Sequence, residues 1–114
     1  MGGITPSSNQ GRVEINYNGT WGVICGFNWD ISEAHVVCRM LGYPRALIAK
    51  TGTEYGLGLN PFLLDNVSCK GDEARLSDCR HDGWGNGRCE DLNNVAGVVC
   101  DTGISLILYC TGPR

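Results

Sequence analysis

Seven cysteines in 114 residues constrain this chain more than any other feature. They stand at Cys25, Cys38, Cys69, Cys79, Cys89, Cys100 and Cys110. A chain of this length makes one domain. It buries only about two-thirds of the surface that its unfolded form exposes, so covalent cross-links add usefully to a small core. Cytosolic thiols stay reduced, and this density therefore points to an oxidising compartment. The rival is a zinc domain, whose structural sites use cysteine pairs a few residues apart. Here the nearest cysteines have nine residues between them, and only His35 and His81 would assist. The spacing favours disulfides, but six paired cysteines allow many connectivities and spacing does not choose among them.

Two glycosylation sequons agree with secretion: Asn18-Gly19-Thr20 and Asn66-Val67-Ser68. Asn18 and Asn66 are thus candidate glycan acceptors, and Asn18-Gly19 is also a hairpin turn. The formal charge of −3 gives no global attraction to nucleic acid or to an anionic membrane. The opening residues, Met1 to Pro6, have neither the basic nor the apolar region of a signal peptide. A secreted domain with this start reads as a piece of a longer precursor. The apolar stretch from Ile104 to Tyr109 is far too short to span a bilayer, so no membrane insertion is expected.

Residues 1–10 are polar and rich in Gly and Ser, and read as a loose lead-in. Arg12 to Tyr17 alternate, with Val13, Ile15 and Tyr17 on one side, as in a half-buried strand. Asn18-Gly19 turns the chain, and Thr20 to Cys25 return it. A helix follows. Asp30 caps it and Glu33 completes a capping box. Ala34, Val37, Cys38 and Leu41 form one apolar stripe. Gly42 and Pro44 end it. Residues 50–61 read as loop, Phe62 to Val67 as a strand and Asp72 to Cys79 as a short capped helical turn. Residues 80–94 read as loop, Val95 to Cys100 as a central strand and 104–109 as a last strand in a C-terminal extension, 102–114. The class is α+β: short antiparallel strands around one main helix.

Several ordered motifs now point one way. They include Gly19-x-Trp21-Gly22-x-x-Cys25, Val36-Val37-Cys38-Arg39-Met40-Leu41-Gly42, Leu64-Asp65-Asn66-Val67-x-Cys69, Gly83-Trp84-Gly85 and Ala96-Gly97-Val98-x-Cys100. Over residues 11–101 the chain resembles the scavenger receptor cysteine-rich (SRCR) domain. The resemblance implies a curved antiparallel sheet cradling the helix. Gln10 and Tyr43 stand where an eight-cysteine group has two more cysteines, so the chain is similar to the six-cysteine group of class A scavenger receptors. That implies the pairs Cys25–Cys89, Cys38–Cys100 and Cys69–Cys79. Cys110 falls outside the pattern, as a free thiol, an inter-chain link or an added residue.

The resemblance also bears on ligands. Many SRCR domains bind Ca²⁺ or Mg²⁺ through carboxylates, which such hard cations need. Here Gly26 and Phe27 replace the usual pair of aspartates, Asn94 or Asn93 replaces the acidic loop residue, and the cation Arg88 replaces an asparagine. Asp30 and Asp65 remain at ligand positions, though Asp30 is explained as a helix cap. The expectation is no high-affinity metal site and no cofactor; a weak site would need Asp65 with Glu73, Glu90 or Asp91. The favoured place for Phe27 is against Trp29 or Trp84; exposed, it would be a contact residue. Phe27, Asp30, Asp65 and Arg88 are the candidate ligand-binding residues. Basic candidates for a polyanion are Arg39, Arg45 and Lys50, with Arg80 and Arg88, but they are outnumbered by acids.

No catalytic motif such as G-x-S-x-G, H-E-x-x-H or a P-loop occurs. His81 and Asp82 are adjacent without an evident nucleophile, and the chain reads as no enzyme. The resemblance implies an extracellular module that recognises a protein or a polyanionic, microbial ligand, in innate recognition or adhesion. The alternative is a non-catalytic accessory domain of a secreted enzyme, such as a serine protease or a lysyl-oxidase-like protein. A free-standing secreted inhibitor or toxin is the third class.

Overall fold

The first extended segment serves two sheets and changes over at Val13. The computed structural model describes residues 9–56, 61–84, 89 and 92–103. In it, β1 (Gln10–Arg12) pairs antiparallel with β6 (Val95–Asp101). The Val13 amide then donates to the Ala96 carbonyl at 2.9 Å, and the chain leaves as β2 (Glu14–Tyr17). This change of sheet breaks the alternation expected over 12–17. Glu14 is buried at 7% exposure, its carboxylate 2.6 Å from the Arg12 guanidinium, while Tyr17 is exposed. Asn9 and Gln10, read as lead-in, already belong to the fold: Asn9 both donates to and accepts from the backbone of Cys100.

β2 pairs antiparallel with β3 (Thr20–Ile24) across Asn18 and Gly19, whose φ values are 52° and 88°. These are the left-handed values that Asn-Gly adopts readily in a two-residue hairpin. β5 (Phe62–Leu64) lies parallel to β3, so one pairing departs from the antiparallel pattern expected. Gly22 permits the approach: a Cβ there would come within 2.6 Å of Leu63 Cδ1 and the Pro61 carbonyl. The second sheet has the order β1-β6-β4.

β4 (Arg45–Gly52) carries no strand period in the sequence, and its end falls in the stretch 50–61 expected to be loop. Ala46, Leu47, Ile48 and Ala49 are consecutive apolar residues, and a register shift between Ala46 and Ile48 removes the period of two. The helix α1 (Ile31–Met40) forms as expected from its capping box. It closes with Gly42 at φ 96°; the Tyr43 amide donates to the Cys38 carbonyl and the Gly42 amide to that of Arg39, a Schellman ending. Its buried face is wider than the stripe, since Val36 is inside with Ala34, Val37 and Cys38. That face packs on β4 and β6. The core joins both sheets to it through Val13, Ile24, Leu64 and Val98. The expected helical turn near 72–79 is a 3-10 turn over Leu76–Asp78.

Three disulfides fasten this arrangement. Cys38 on the buried helix face joins Cys100 on β6, Cys25 after β3 joins Cys89, and Cys69 joins Cys79. Their Cα separations, 5.6, 5.5 and 4.8 Å respectively, suit unstretched bridges. The strand expected at 104–109, Cys110 and Arg88 lie outside the described residues.

Chain-entropy arithmetic gives about 4 kcal/mol for each long bridge and about 3 for the short one. The Cys38→Ala/Cys100→Ala variant should therefore lose about 4 kcal/mol in denaturant unfolding, and Cys69→Ala/Cys79→Ala about 3. A double variant at 38 and 100 as stable as wild type would contradict this.

Candidate functional site

Two loops meet on one face, and both reach it through backbone conformations unusual for side-chain-bearing residues. The first, residues 25–30, connects β3 to α1. It is pinned on both sides: the Cys25 amide donates to the Leu64 carbonyl and the Gly26 amide to that of Asn94. The Trp29 amide donates to the Gly26 carbonyl at 3.0 Å, closing a turn. Asn28 sits in that turn at φ 65°. The second loop follows β5, with Asn66 at φ 54°. Asparagine tolerates left-handed backbone better than most residues. With Asn18, these are the three non-glycine residues at positive φ among those described.

The two left-handed asparagines touch. Asn28 Nδ2 donates to Asn66 Oδ1, and Asn66 Nδ2 donates to Asp82 Oδ1 at 3.4 Å. The Asp82 amide donates to the Asp65 carbonyl at 3.3 Å, so the loop 80–84 is part of the same unit. Trp84 extends it: its ring stacks on Tyr17 at 4.4 Å and meets His81 edge-on at 5.6 Å. His81 Nδ1 accepts from the Gly83 amide.

Phe27 lies beside Asn28 and is 58% exposed. The expectation that it fills space against Trp29 or Trp84 is overturned. Trp29 is buried, with its indole N–H given to the Gly97 carbonyl at 3.0 Å, and Trp84 is taken by Tyr17. The turn from Gly26 to Trp29 sends Trp29 inward and leaves Phe27 outside.

Of the residues singled out from sequence, Phe27, Asp65 and Asn66 therefore gather around one hydrogen-bonded network. Asp30 stands at its inner margin as the helix cap, its carboxylate accepting from the Ser32 amide at 2.9 Å. Asn18 is elsewhere, exposed at the hairpin tip. Asn28 and the Tyr17–Trp84 stack lie outside the residues singled out from sequence, and Asp82 stands there only beside His81. A solitary asparagine in a tight turn was the available signal, but its partner is 38 residues away.

The position after Cys25 is closed to a side chain. A Cβ on Gly26 would overlap the Asn94 amide and come 2.9 Å from Thr51 Cγ2. Glu73 does not join Asp65; its carboxylate accepts from the Lys70 and Gly71 amides, and the Lys70 donation leads in holding its acid below the ordinary range. Cys69, Glu73 and Cys79 also cluster, but the two sulfurs are bonded to each other. Three of the basic candidates are engaged elsewhere. Arg45 pairs with Asp101, Lys50 with Glu54, and Arg39 donates to the Gly71 and Glu73 carbonyls.

Comparison with known proteins is consistent across three measures. Residues 3–101 match the family model of the scavenger receptor cysteine-rich domain. Galectin-3-binding protein of Mus musculus is 45% identical over 104 residues, covering 89% of this chain and 18% of that protein. Lysyl oxidase homolog 2 of Homo sapiens is 43% identical over 100 residues, covering 88% and 13%. The chain thus spans less than a fifth of the length of these relatives. The crystal structure of the dimeric form of the SRCR domain of mouse MARCO superposes with a TM-score of 0.74 at 46% identity, covering 86% of this chain and 92% of that one.

The Gly26 contact gives a prediction. Gly26→Ala should cost about 1–3 kcal/mol in denaturant unfolding, the usual range for forcing atoms into a packed site. A neutral outcome would mean that Asn94 is not fixed where it is seen.

Proposed function

The chain belongs to the scavenger receptor cysteine-rich family, and from that premise we propose that it is an extracellular ligand-binding module that grips a protein partner, without a divalent cation, through the Phe27–Asn28–Asn66–Asp82 face. One observation carries the reading: a large apolar ring stands exposed beside a preformed network of carboxamide and carboxylate groups. An aromatic anchor rimmed by polar groups is the usual make-up of a protein-contact centre.

Two further observations favour a protein over a polyanion. Asp65 and Asp82 give the face acidic character, and Arg45, Lys50 and Arg39, considered for a polyanion, are drawn into ion pairs or carbonyl contacts. Metal independence is supported by Gly26, where the packed Asn94 amide occupies the space a carboxylate would need. Asn18 at the hairpin tip is the better glycan acceptor of the two, because the Asn66 amide is engaged with Asp82.

The second reading is an accessory domain that positions a partner for an enzyme elsewhere in the same polypeptide. The similarity to lysyl oxidase homolog 2 favours it. Both readings use the same face; the flanking domains of the parent protein distinguish them.

The isolated domain should bind from a panel of extracellular proteins rather than to heparin, and equally with Ca²⁺ or with EDTA. Phe27→Ala should weaken that binding by roughly 30-fold, as loss of an anchor of about 2 kcal/mol would, with an unchanged melting temperature. Binding that is abolished by EDTA, or indifferent to Phe27, refutes the proposal.

A further inference from the structure

The hairpin between β2 and β3 sets an aromatic ring beside a glycosylation sequon. Asn18 and Gly19 at its tip have φ 52° and 88°, both left-handed, as a type I′ turn requires. The Gly19 amide donates to Asn16 Oδ1 at 3.2 Å and braces the turn. Tyr17 and Thr20 are register partners on either side of it, so their side chains leave the hairpin on one face. Residues 17–20 are all exposed. The Asn18 carboxamide, unlike that of Asn66, has no hydrogen-bond partner among the described residues.

Tyr17 is the outer member of a layered stack. Trp84 packs against the hydrophobic core. The Tyr17 ring lies on Trp84 with centroids 4.4 Å apart and 2° between the planes. One face of Tyr17 is therefore covered, and its 38% exposure falls on the far face and the ring edge. The face of an aromatic ring is electron-rich and attracts the polarised C–H bonds on the flat side of a pyranose. Trp21 is no rival platform for a group on the Tyr17 face. It pairs with Asn16, one position along, and so projects from the opposite face of the hairpin.

We propose that Asn18 carries an N-linked glycan whose first sugar, an N-acetylglucosamine, lies on the far face of Tyr17. Core, Trp84, Tyr17 and sugar then form successive layers. In the modification the Asn18 Nδ2 bonds to C1 of the sugar and gives up one hydrogen as a proton. The C1–O bond to the donor, a lipid diphosphate-linked oligosaccharide, breaks, and the diphosphate leaves with that electron pair. Tyr17 precedes the acceptor by one residue, about 3.8 Å between Cα atoms, and Thr20 completes the sequon on the same face as Tyr17. The sugar thus needs no rearrangement of the hairpin to reach the ring. It covers apolar surface that is otherwise left in water, and it holds Tyr17 against Trp84. The inference rests on the extracellular reading and on Asn18 as an acceptor; it is independent of the Phe27 face.

The test uses the intact, disulfide-bonded chain secreted from a eukaryotic host, with Ser68→Ala throughout to remove the Asn66 sequon. Mass spectrometry should find Asn18 occupied. The glycan is then trimmed by an endoglycosidase to its first sugar, and the product is compared with the same sequence made without glycan. The sugar should raise the melting temperature by roughly 4 °C, the shift that one stacked pair produces in a domain of this size. That increment should vanish in Tyr17→Ala. Comparing increments removes the cost that Tyr17→Ala carries by losing its contact with Trp84. The sugar hydrogens should also resonate upfield of their positions in Tyr17→Ala, from the ring current of Tyr17. Should Tyr17→Ala fail to fold, nuclear Overhauser contacts between the Tyr17 ring and the sugar decide: their presence supports the stack and their absence overturns it. An unoccupied Asn18 overturns the acceptor reading and the stack with it. An occupied Asn18 with equal increments in both backgrounds, or with sugar resonances indifferent to Tyr17, overturns the stack alone.

Discussion

A buried carboxyl group ties together two parts of this fold that no β-ladder connects, the start of α1 and the segment at Cys69. The two sheets share the N-terminal segment through Val13, and α1 lies on β4 and β6 through its apolar face. The segment after β5 reaches the helix through the core residues Val67 and Leu76, and through a polar tie at Cys69 as well. Glu33 supplies it, by taking the Cys69 amide with one oxygen while the other completes the helix cap. Neighbouring groups reinforce the junction. Glu73 organises the Lys70 and Gly71 amides, and Arg39 holds the carbonyls of Gly71 and Glu73 from the far end of α1. A buried backbone amide left without an acceptor is costly. The start of the Cys69 loop is thus held by the Glu33 side chain as well as by its packing.

The disulfides act at different places and by a different route. Cys38–Cys100 lies inside the core and joins helix to sheet, where packing already holds both. Its main effect is on the unfolded chain, whose freedom it restricts. Cys25–Cys89 works at the margin of the candidate face: it fixes the end of β3 immediately before Gly26 and Phe27. The loop 25–30 is therefore bounded by a covalent bridge at one end and by the Asp30 cap at the other. Between those points the turn residues are set by Asn28 and by the contact of Gly26 with Asn94.

The sequence was most informative where structure is local. The helix from Asp30 to Gly42 and the Asn18-Gly19 hairpin each rest on residues within a few positions, and both formed as their caps and turn required. It was least informative where partners are distant. β4 hid because its bulge places four apolar residues in a row, and the strand is defined by pairing with β6 about fifty residues on. The parallel partnership of β5 with β3 depends on the missing side chain of Gly22, which no periodicity reveals. The candidate face shows both limits. The SRCR resemblance marked Phe27, Asp30 and Asp65, but the Asn28–Asn66–Asp82 chain of hydrogen bonds spans three loops and could not be inferred from any one of them. Phe27 is expected inward because a bulky ring ordinarily seeks cover; the turn at Gly26–Trp29 gives that cover to Trp29 instead.

On the reading proposed for that face, its composition accounts for binding without a metal. A cluster of ionised carboxylates is expensive to cover, because each must shed strongly held water, and a bound cation offsets that cost. Carboxamides shed water more cheaply and present a donor and an acceptor at once. Where the family resemblance places an aspartate pair, this chain has a glycine closed off by Asn94 and an exposed phenylalanine. Asn28 and Asn66 bond to each other and so arrive at an interface already oriented, with little rotamer entropy left to lose. Phe27 then contributes apolar area where a cation would have contributed charge. Affinity on such a surface comes from burying a ring within a fixed polar frame. It should be insensitive to chelators, and only weakly dependent on salt through Asp65 and Asp82.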